Sequence, residues 1–216
     1  SKLLADVTPL DAKQFRNWMI SAKHSENYVR TQCKNIKMFF GAAVEGRLIT
    51  ENPFKGIPCK VQSVPERMKF ISAADIGLIL DQAPDLEWRL VISLARWGGL
   101  RIPSEIAELR WDHVNWETNR ITIPQPKLEH IPGKGQRVIP LFSELQSILI
   151  EASENAPEGA IYMLPRLRGD SKNLRTTFNK LVTRAGLTPW TRPFANLRST
   201  RATELAETYP LKTVAE

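Results

Sequence analysis

The sequence predicts a mainly α-helical protein with a small antiparallel β-hairpin, divided into a short helical domain and a larger α+β domain. Apolar residues recur at helical spacing near the N-terminus. Further on, one short stretch alternates polar and apolar residues, and a second stretch suits its partner strand across a loop with glycine and proline. A proline-bounded stretch separates the two patterns. We therefore expect a helical domain over residues 1–58, a linker over 59–67 and the larger domain over 68–216.

Two helices are predicted in the first domain. The first follows Thr8, a residue that can cap a helix, and runs to about Ala22. The second begins at Ser25 and ends at Gly46. Its apolar residues form a stripe with alternating spacings of four and three: Val29, Cys33, Ile36, Phe40 and Ala43. Three cations lie off this stripe, where we expect them to face outward: Arg30, Lys34 and Lys37.

The second domain is predicted to combine helices with one hairpin. Ser72 begins a helix that runs to about Gln82, and a second follows from Glu87 to Arg96, where Gly98 and Gly99 end it. A further short helix is expected to begin at Pro103. The strands of the hairpin are residues 120–124 and 136–140, and three more helices are expected over residues 143–155, 171–185 and 197–207.

Composition narrows the classes of protein that the chain can belong to. Hydrophobic residues make up 42% and charged residues 25%, which excludes wholesale disorder. The only cysteines, Cys33 and Cys59, are expected to be reduced thiols of a cytoplasmic protein without a metal site. No apolar run approaches the ~20 residues that a membrane span needs. Because the chain opens at Ser1 and stops within an amphipathic segment, we expect it to have been cut from a longer protein.

The positive charge is concentrated in two stretches. The net charge is +7, with +5 in residues 1–65, −4 in residues 66–159, +8 in residues 160–201 and −2 in residues 202–216. Two basic surfaces on either side of an acidic body are typical of a clamp for a polyanion, and phosphate contacts supply much of the affinity for DNA. The alternatives are solvated helix faces, a membrane surface, which the scattered cations favour least, and RNA or an acidic protein.

Three places carry residues suited to chemistry on a phosphate. Arg101 follows a glycine pair and has Glu105 four residues on, so it is either a fork for a phosphate or half of a structural ion pair. Lys127 lies in the hairpin loop, where it either donates a proton or is solvated. Arg198 and Arg201 lie one turn apart near a predicted helix start, which is either a phosphate site or a basic first turn.

These motifs, in this order, resemble those of the tyrosine recombinases, the phage-integrase family. Residues 99–106 with 109–111 resemble the first arginine box, the Lys127 hairpin resembles the β-hairpin lysine, and residues 194–205 resemble the second arginine box. The N-terminal unit, ending Asn52-Pro53-Phe54, resembles the family's core-binding, SAM-like domain. The resemblance implies a site-specific recombinase that breaks and rejoins double-stranded DNA through a 3′-phosphotyrosyl intermediate, without metal or small-molecule cofactor.

The resemblance also implies roles for residues and partners. Arg101 and Arg198 would stabilise charge on the phosphate, Glu105 would support them, and Lys127 would protonate the leaving 5′-oxygen. The basic stretches supply the further DNA contacts that we expect: Arg30, Lys34, Lys37, Arg175 and Arg201. The implied process is integration or recombination of a mobile element by a homotetramer assembled on DNA.

The chain departs from the family pattern in two respects. Ala195 stands where the second box usually has histidine. The three tyrosines are unsuited to be the nucleophile, because Tyr28 and Tyr162 precede the second box and Tyr209 follows Arg198 too closely. We therefore expect the nucleophile beyond Glu216 and a chain that binds DNA without cleaving it. The alternative is a catalytically inactive relative that binds DNA in an architectural or regulatory role.

Overall fold

The structure, a computed structural model, describes residues 2–168 and 173–215. It contains two compact units, Ser1–Pro65 and Glu66–Glu216. The first contains α1 (Pro9–Ser21) and α2 (Glu26–Glu45). The second contains α3 (Ala73–Asp81), α4 (Leu86–Arg96), α5 (Ser143–Glu154), α6 (Leu174–Arg184), α7 (Pro193–Thr208) and α8 (Leu211–Ala215). Its antiparallel sheet has the order β1 (Val114–Asn115), β2 (Arg120–Pro124) and β3 (Gln136–Pro140). The predicted fold class, mainly helical with a small antiparallel sheet, is confirmed.

The first unit is built on the apolar faces of α1 and α2. The predicted stripe on α2 is buried at Val29, Cys33, Phe40 and Ala43, and Ile36 packs against the same cluster while partly exposed. Ala12 and Met19 of α1 complete one side of this cluster. No helix among the described residues of either unit has both the length and the apolar character that crossing a lipid bilayer requires.

The stretch predicted as a linker begins as part of the first unit. Asn27 of α2 forms two hydrogen bonds with the backbone of Gln62: its Nδ2 donates to the carbonyl oxygen at 2.8 Å, and its Oδ1 accepts the N–H at 2.9 Å. Arg30 donates to the carbonyl of Lys60 at 2.9 Å. These bonds satisfy an extended backbone that has no strand partner in the described residues, so residues 60–62 lie along α2, and the first unit ends at Pro65.

The start of α1 is a capping box. The hydroxyl of Thr8 accepts the Asp11 N–H at 3.2 Å, and the Asp11 carboxylate accepts the Thr8 N–H at 2.8 Å. Lys2 also donates to this carboxylate, at 2.6 Å. The hydrogen bond from Lys2, followed by those from the Thr8 backbone and hydroxyl, lowers the pKa of Asp11 from 3.8 to about 2.

Replacing Asp11 with asparagine is expected to lower the thermal unfolding midpoint at neutral pH. Because the folded pKa lies below the unfolded one, the carboxylate stabilises the fold above the unfolded pKa, and this contribution is lost as the pH falls through about 2. The difference between Asp11→Asn and the wild type should therefore close between about pH 4 and pH 2. Circular dichroism at both ends of that range measures it, with exposed Asp6→Asn as the matched control; a difference that persists at pH 2 contradicts the assignment.

The core of the second unit is organised around α4. Six consecutive apolar or small residues of this helix, residues 90–95, are fully buried because α5 packs on one side of it and α7 on another. The sheet adds Ile121 and Ile123 of β2, whose alternation with polar residues predicted the hairpin correctly. In the register of the hairpin, Ile121 faces Ile139 and Ile123 faces Arg137.

Two predicted helices differ from those observed. The helix expected at Pro103 is a series of turns, because its backbone bonds mix i+3 and i+4 partners: Pro103 O accepts both Ile106 N and Ala107 N at 3.1 Å. The helix expected from Leu197 begins at Pro193, since proline suits a first helical position, which makes Arg198 its sixth residue. In the helix predicted over residues 171–185, residues 171 and 172 lie outside the described residues.

Candidate active site

A cleft in the second unit brings together three cations from separate segments. Arg101 comes from the turns after α4, Lys127 from the loop between β2 and β3, and Arg198 from α7. Leu100, Ile102, Ser104, Arg192, Phe194 and Ala195 complete most of the lining. The proposed phosphate-binding and proton-donating residues therefore share one open site, although they are far apart in the sequence.

The end of α4 directs Arg101 into this cleft. The last turn closes with bonds from Gly98 N to Ser93 O at 3.3 Å and from Leu100 N to Leu94 O at 3.1 Å. A Cβ on Gly98 would lie 2.8 Å from Leu94 O, and Gly99 has a φ of +62°, which disfavours other residues. The glycine pair thus allows the chain to reverse tightly, so that the next residue leaves the helix axis.

Glu105 holds the Arg101 side chain in place. Its side chain is 1% exposed, and its carboxylate accepts the Arg101 N–H at 2.9 Å together with an Nη1–H of the same arginine. It also accepts an Nη2–H of Arg137 at 2.9 Å. Buried carboxylates require compensation of this kind, because an unpaired charge out of water is costly. In this geometry Arg101 can form a structural ion pair with Glu105 and still bind a phosphate, so the two interpretations do not exclude each other.

Arg198 lies in an environment of excess positive charge. Its side chain is half-buried, and burial, followed by the charges of Arg101 and Arg137, lowers its pKa, while Glu105 acts in the opposite direction. Arg198, Arg101 and Arg137 carry three positive charges against the single carboxylate of Glu105, so this group has two positive charges in excess. An arrangement of this kind favours binding of an anion, since a phosphate would relieve the mutual repulsion of the arginines.

Arg137 is the residue of this cluster that the sequence prediction missed. It lies on β3, where burial alternates, so that Arg137 and Ile139 turn towards the protein while their neighbours are exposed. A cation at an inward-facing strand position requires a carboxylate partner. The residue types of 136–140 do not alternate, so the available signal was the pairing of residue 137 with the inward-facing Ile123 across the predicted hairpin. The identity of the partner, Glu105, depends on the tertiary structure.

Lys127 and Ala195 both line the cleft and are both exposed. Lys127 is exposed in the hairpin loop, whose base is closed by a bond from Gln125 N to Gly135 O at 2.7 Å. Ala195 is exposed in the first turn of α7, on the same cleft as Lys127. The methyl group of Ala195 cannot exchange a proton, so histidine chemistry is missing at this position.

Arg201, which was predicted to contact DNA, is largely buried in the structure, and its contact with DNA stays a prediction. Its side chain is 11% exposed, with the guanidinium 4.0 Å from the centre of the Phe142 ring and near a carboxylate oxygen of Glu204 at 3.5 Å. The aromatic face and the carboxylate compensate its charge inside the protein. Arg201 therefore belongs to the packing between α7 and its surroundings.

The remaining predicted DNA contacts differ in their environments. Lys34 on α2 and Arg175 in the first turn of α6 are exposed. Arg30 is already bonded to Glu26 at 2.8 Å and to a backbone carbonyl, and Lys37 donates to the carbonyl of Lys55 at 2.9 Å. These last two would have to exchange protein partners for phosphate oxygens.

The three tyrosines lie within the described residues, and none of them lines the cleft. Tyr28 belongs to the first unit, and the Arg168 guanidinium covers the Tyr162 ring at 3.5 Å from its centre. Tyr209, half-exposed after α7, lines a neighbouring groove with Arg137 and Arg198. The described residues include no group of three or more metal-ligating side chains arranged to hold an ion.

A model of the phage integrase family matches residues 69–216. Among solved structures, the Tn1549 transposon integrase in complex with transposon right end DNA has a TM-score of 0.77 and 20% identity, covering 99% of this chain and 78% of that one. A lambda integrase dimer bound to a COC′ core site has a TM-score of 0.71 and 19% identity, with 98% and 78% covered. A lambda integrase tetramer bound to a Holliday junction has a TM-score of 0.72 and 19% identity, with 98% and 63% covered. No curated protein matches the chain. At these identities the likeness establishes the fold.

Proposed function

Since the chain belongs to the phage integrase family, we propose that it acts on double-stranded DNA as part of a site-specific recombinase. The reaction is breakage and rejoining of strands through a 3′-phosphotyrosyl intermediate, in the integration or recombination of a mobile element. The observation that carries this proposal is the cleft that Arg101, Lys127 and Arg198 share.

The residues of the cleft suit each part of that reaction. Attack by a tyrosine oxygen on the scissile phosphorus forms the phosphotyrosyl bond and breaks the bond to the 5′-oxygen. Negative charge grows on the non-bridging oxygens, where Arg101 and Arg198 can each donate two N–H groups. Lys127 then supplies the proton that the leaving 5′-oxygen takes up. A 5′-hydroxyl of the partner strand reverses the step, so the phosphotyrosyl bond conserves the energy of the broken one.

We further propose that residues 1–216 bind DNA but do not cleave it by themselves. This rests on the positions of Tyr28, Tyr162 and Tyr209, none of which lines the cleft. A tyrosine from outside these residues would complete the site. As in the lambda integrase tetramer on a Holliday junction, the working assembly would be a homotetramer on DNA, acting in the cytoplasm.

The alternative is a catalytically inactive relative that binds DNA for an architectural or regulatory purpose. The observation that favours it is Ala195, exposed on the cleft where a proton-exchanging side chain is usual in the family. The two proposals predict the same DNA binding and differ in one product. Only the recombinase forms a covalent adduct with DNA when a tyrosine is available.

DNA binding by the chain is expected to weaken steeply with salt. Each neutralised phosphate contributes about −0.9 to the slope of log K against log salt, so several contacts give a slope of several units. Arg175→Ala should weaken binding and reduce the magnitude of the slope by about 1. Fluorescence anisotropy with a mixed-sequence duplex measures both quantities.

The matched control for Arg175 is Arg89→Ala, since Arg89 is also partly exposed but is paired with Glu151 at 2.9 Å. It should leave the slope unchanged. A structured RNA of equal charge serves as competitor. A flat salt dependence, or preference for the RNA, contradicts the proposal of a duplex-binding protein.

A further inference from the structure

We propose that Arg137 is a positioning residue that fixes the Lys127 loop relative to the Arg101 turn, acting through Glu105. This proposal rests on the proposed function, in which Lys127 and Arg101 act on the same phosphate. Arg137 itself is directed at protein atoms: its side chain is 17% exposed, and its Nη2 group donates to Glu105 at 2.9 Å and lies 3.4 Å from the carbonyl oxygen of Gly99.

The Glu105 end of the contact with Arg137 is fixed to the main chain of the Arg101 turn. Glu105 Oε2 accepts the Arg101 backbone N–H as well as the Arg137 Nη2–H, each at 2.9 Å. The carboxylate is therefore fixed to the main chain of the turn and not only to a flexible side chain. Gly99 O lies in the same turn, just before Arg101. Arg137 is thus bonded to the backbone frame that aims Arg101.

Arg137 lies at the base of the hairpin loop that carries Lys127. Arg137 faces Ile123 in the ladder, and the Gln125–Gly135 bond at 2.7 Å closes the next step towards Lys127. Beyond that bond the described residues offer the loop no ladder partner, so we expect its direction to be set at this base. Anchoring Arg137 to Glu105 consequently anchors the exposed Lys127 relative to Arg101.

The charge balance of Glu105 depends on Arg137. Glu105 is buried, and its single carboxylate charge is shared between Arg101 and Arg137. Removal of Arg137 leaves that carboxylate with one cationic partner and the hairpin base with no ionic anchor to the turn, so both are free to shift. Lysine keeps the charge but cannot reproduce the planar fork, so it should rescue the arrangement in part.

A ligand-free experiment tests the anchor directly. Amide hydrogen exchange of Gln125 should become about tenfold faster in Arg137→Met and return most of the way in Arg137→Lys, because the Gln125–Gly135 bond then opens more often. The matched control is Arg110→Met, which breaks a more exposed arginine–aspartate pair in the same unit, at 2.9 Å. Unchanged exchange at Gln125 in Arg137→Met overturns the proposal, whatever the protein binds.

A double-mutant cycle then tests the link to the site, with inorganic phosphate as the probe in an NMR titration. In the wild type, Lys127→Ala should weaken phosphate binding about tenfold, as the loss of one charged hydrogen bond does. In the Arg137→Met background the same substitution should change it less than twofold, since Lys127 is already displaced, and in Arg137→Lys the effect should largely return. Effects that simply multiply would assign Arg137 to general stability and refute the positioning role.

The outcomes separate the two proposals. Failure of the wild type to bind phosphate contradicts the proposed function, while the exchange of Gln125 still decides the role of Arg137. Thermal unfolding shows whether Arg137→Met is folded. Should it not fold, Arg137→Lys carries the comparison, with intermediate exchange at Gln125 as the expected result and wild-type exchange as the contrary one.

Discussion

Replacing Arg198 with alanine is expected to lower the rate of covalent protein–DNA adduct formation by a factor of about 10²–10³, as removal of one transition-state donor does. Arg198 lines the cleft with Arg101 and Lys127, and its guanidinium is repelled by two neighbouring arginines. Charge that develops on the phosphate relieves this repulsion more than the ground state does. The loss should therefore fall on the chemical step more than on DNA binding.

The assay uses the full-length protein and a nicked duplex whose cleaved fragment diffuses away. Arg198→Lys should recover only part of the rate, because lysine keeps the charge but lacks the fork. Arg89→Ala, in an exposed pair with Glu151, is the control. A wild-type rate in Arg198→Ala would remove this residue from the mechanism. If the wild type forms no adduct but Ala195→His does, the chain is the inactive relative.

The second large effect is expected at an ion pair that joins α4 to α7. Arg96 is fully buried; it bonds to both carboxylate oxygens of Glu204, to the Ile71 carbonyl at 3.2 Å, and its guanidinium carbon lies 4.2 Å from the Trp97 ring centre. Glu204→Gln leaves Arg96 charged and out of water without its anion. Breaking such pairs costs about 3–5 kcal/mol, and we expect about 3, because Glu204 is 26% exposed.

Urea unfolding measures this loss as a lower midpoint with an unchanged m-value. Asp112→Asn is the control, since Asp112 belongs to an exposed pair with Arg110 and its substitution should cost less than about 1 kcal/mol.

Burial acts to raise the pKa of Glu204, but the hydrogen bonds and charges of Arg96, and then of Arg201, outweigh it and lower the pKa. The difference between wild type and Glu204→Gln should therefore shrink as the pH falls below about 4.3. A difference that is constant down to strong acid would exclude the ion pair as its cause.

This pair also concerns the site, because α4 leads into the Arg101 turn and α7 carries Arg198. The Arg96–Glu204 bonds fix one helix against the other close to where both reach the cleft. Glu204→Gln is therefore expected mainly to lower the free energy of unfolding, with a smaller effect on the distance between Arg101 and Arg198.

The local elements were predictable because their causes lie within a few residues. Thr8, Ser25 and Ser72 cap the helices that they were predicted to start, since a cap needs only a side-chain oxygen and the next turn. The hairpin followed from the alternation of residues 120–124 and from a second short stretch across a loop with glycine and proline, and the observed strands lie at the predicted residues. The turns at Pro103 were missed because the local propensity for a helix yields there to the contacts of Glu105.

Which charges meet was decided by the tertiary structure. From the sequence, Arg101, Lys127 and Arg198 were separate candidates linked by a family resemblance, and Arg201 was as good a candidate for DNA as Arg175. The structure gathers the first three at one cleft, buries Arg201 against Phe142 and Glu204, and adds Arg137 through Glu105. The sequence by itself determines the helix caps, the periodicity of the apolar residues and which basic residues are present. The use of each cation depends on partners from distant segments, because a guanidinium is buried only where another element provides its carboxylate.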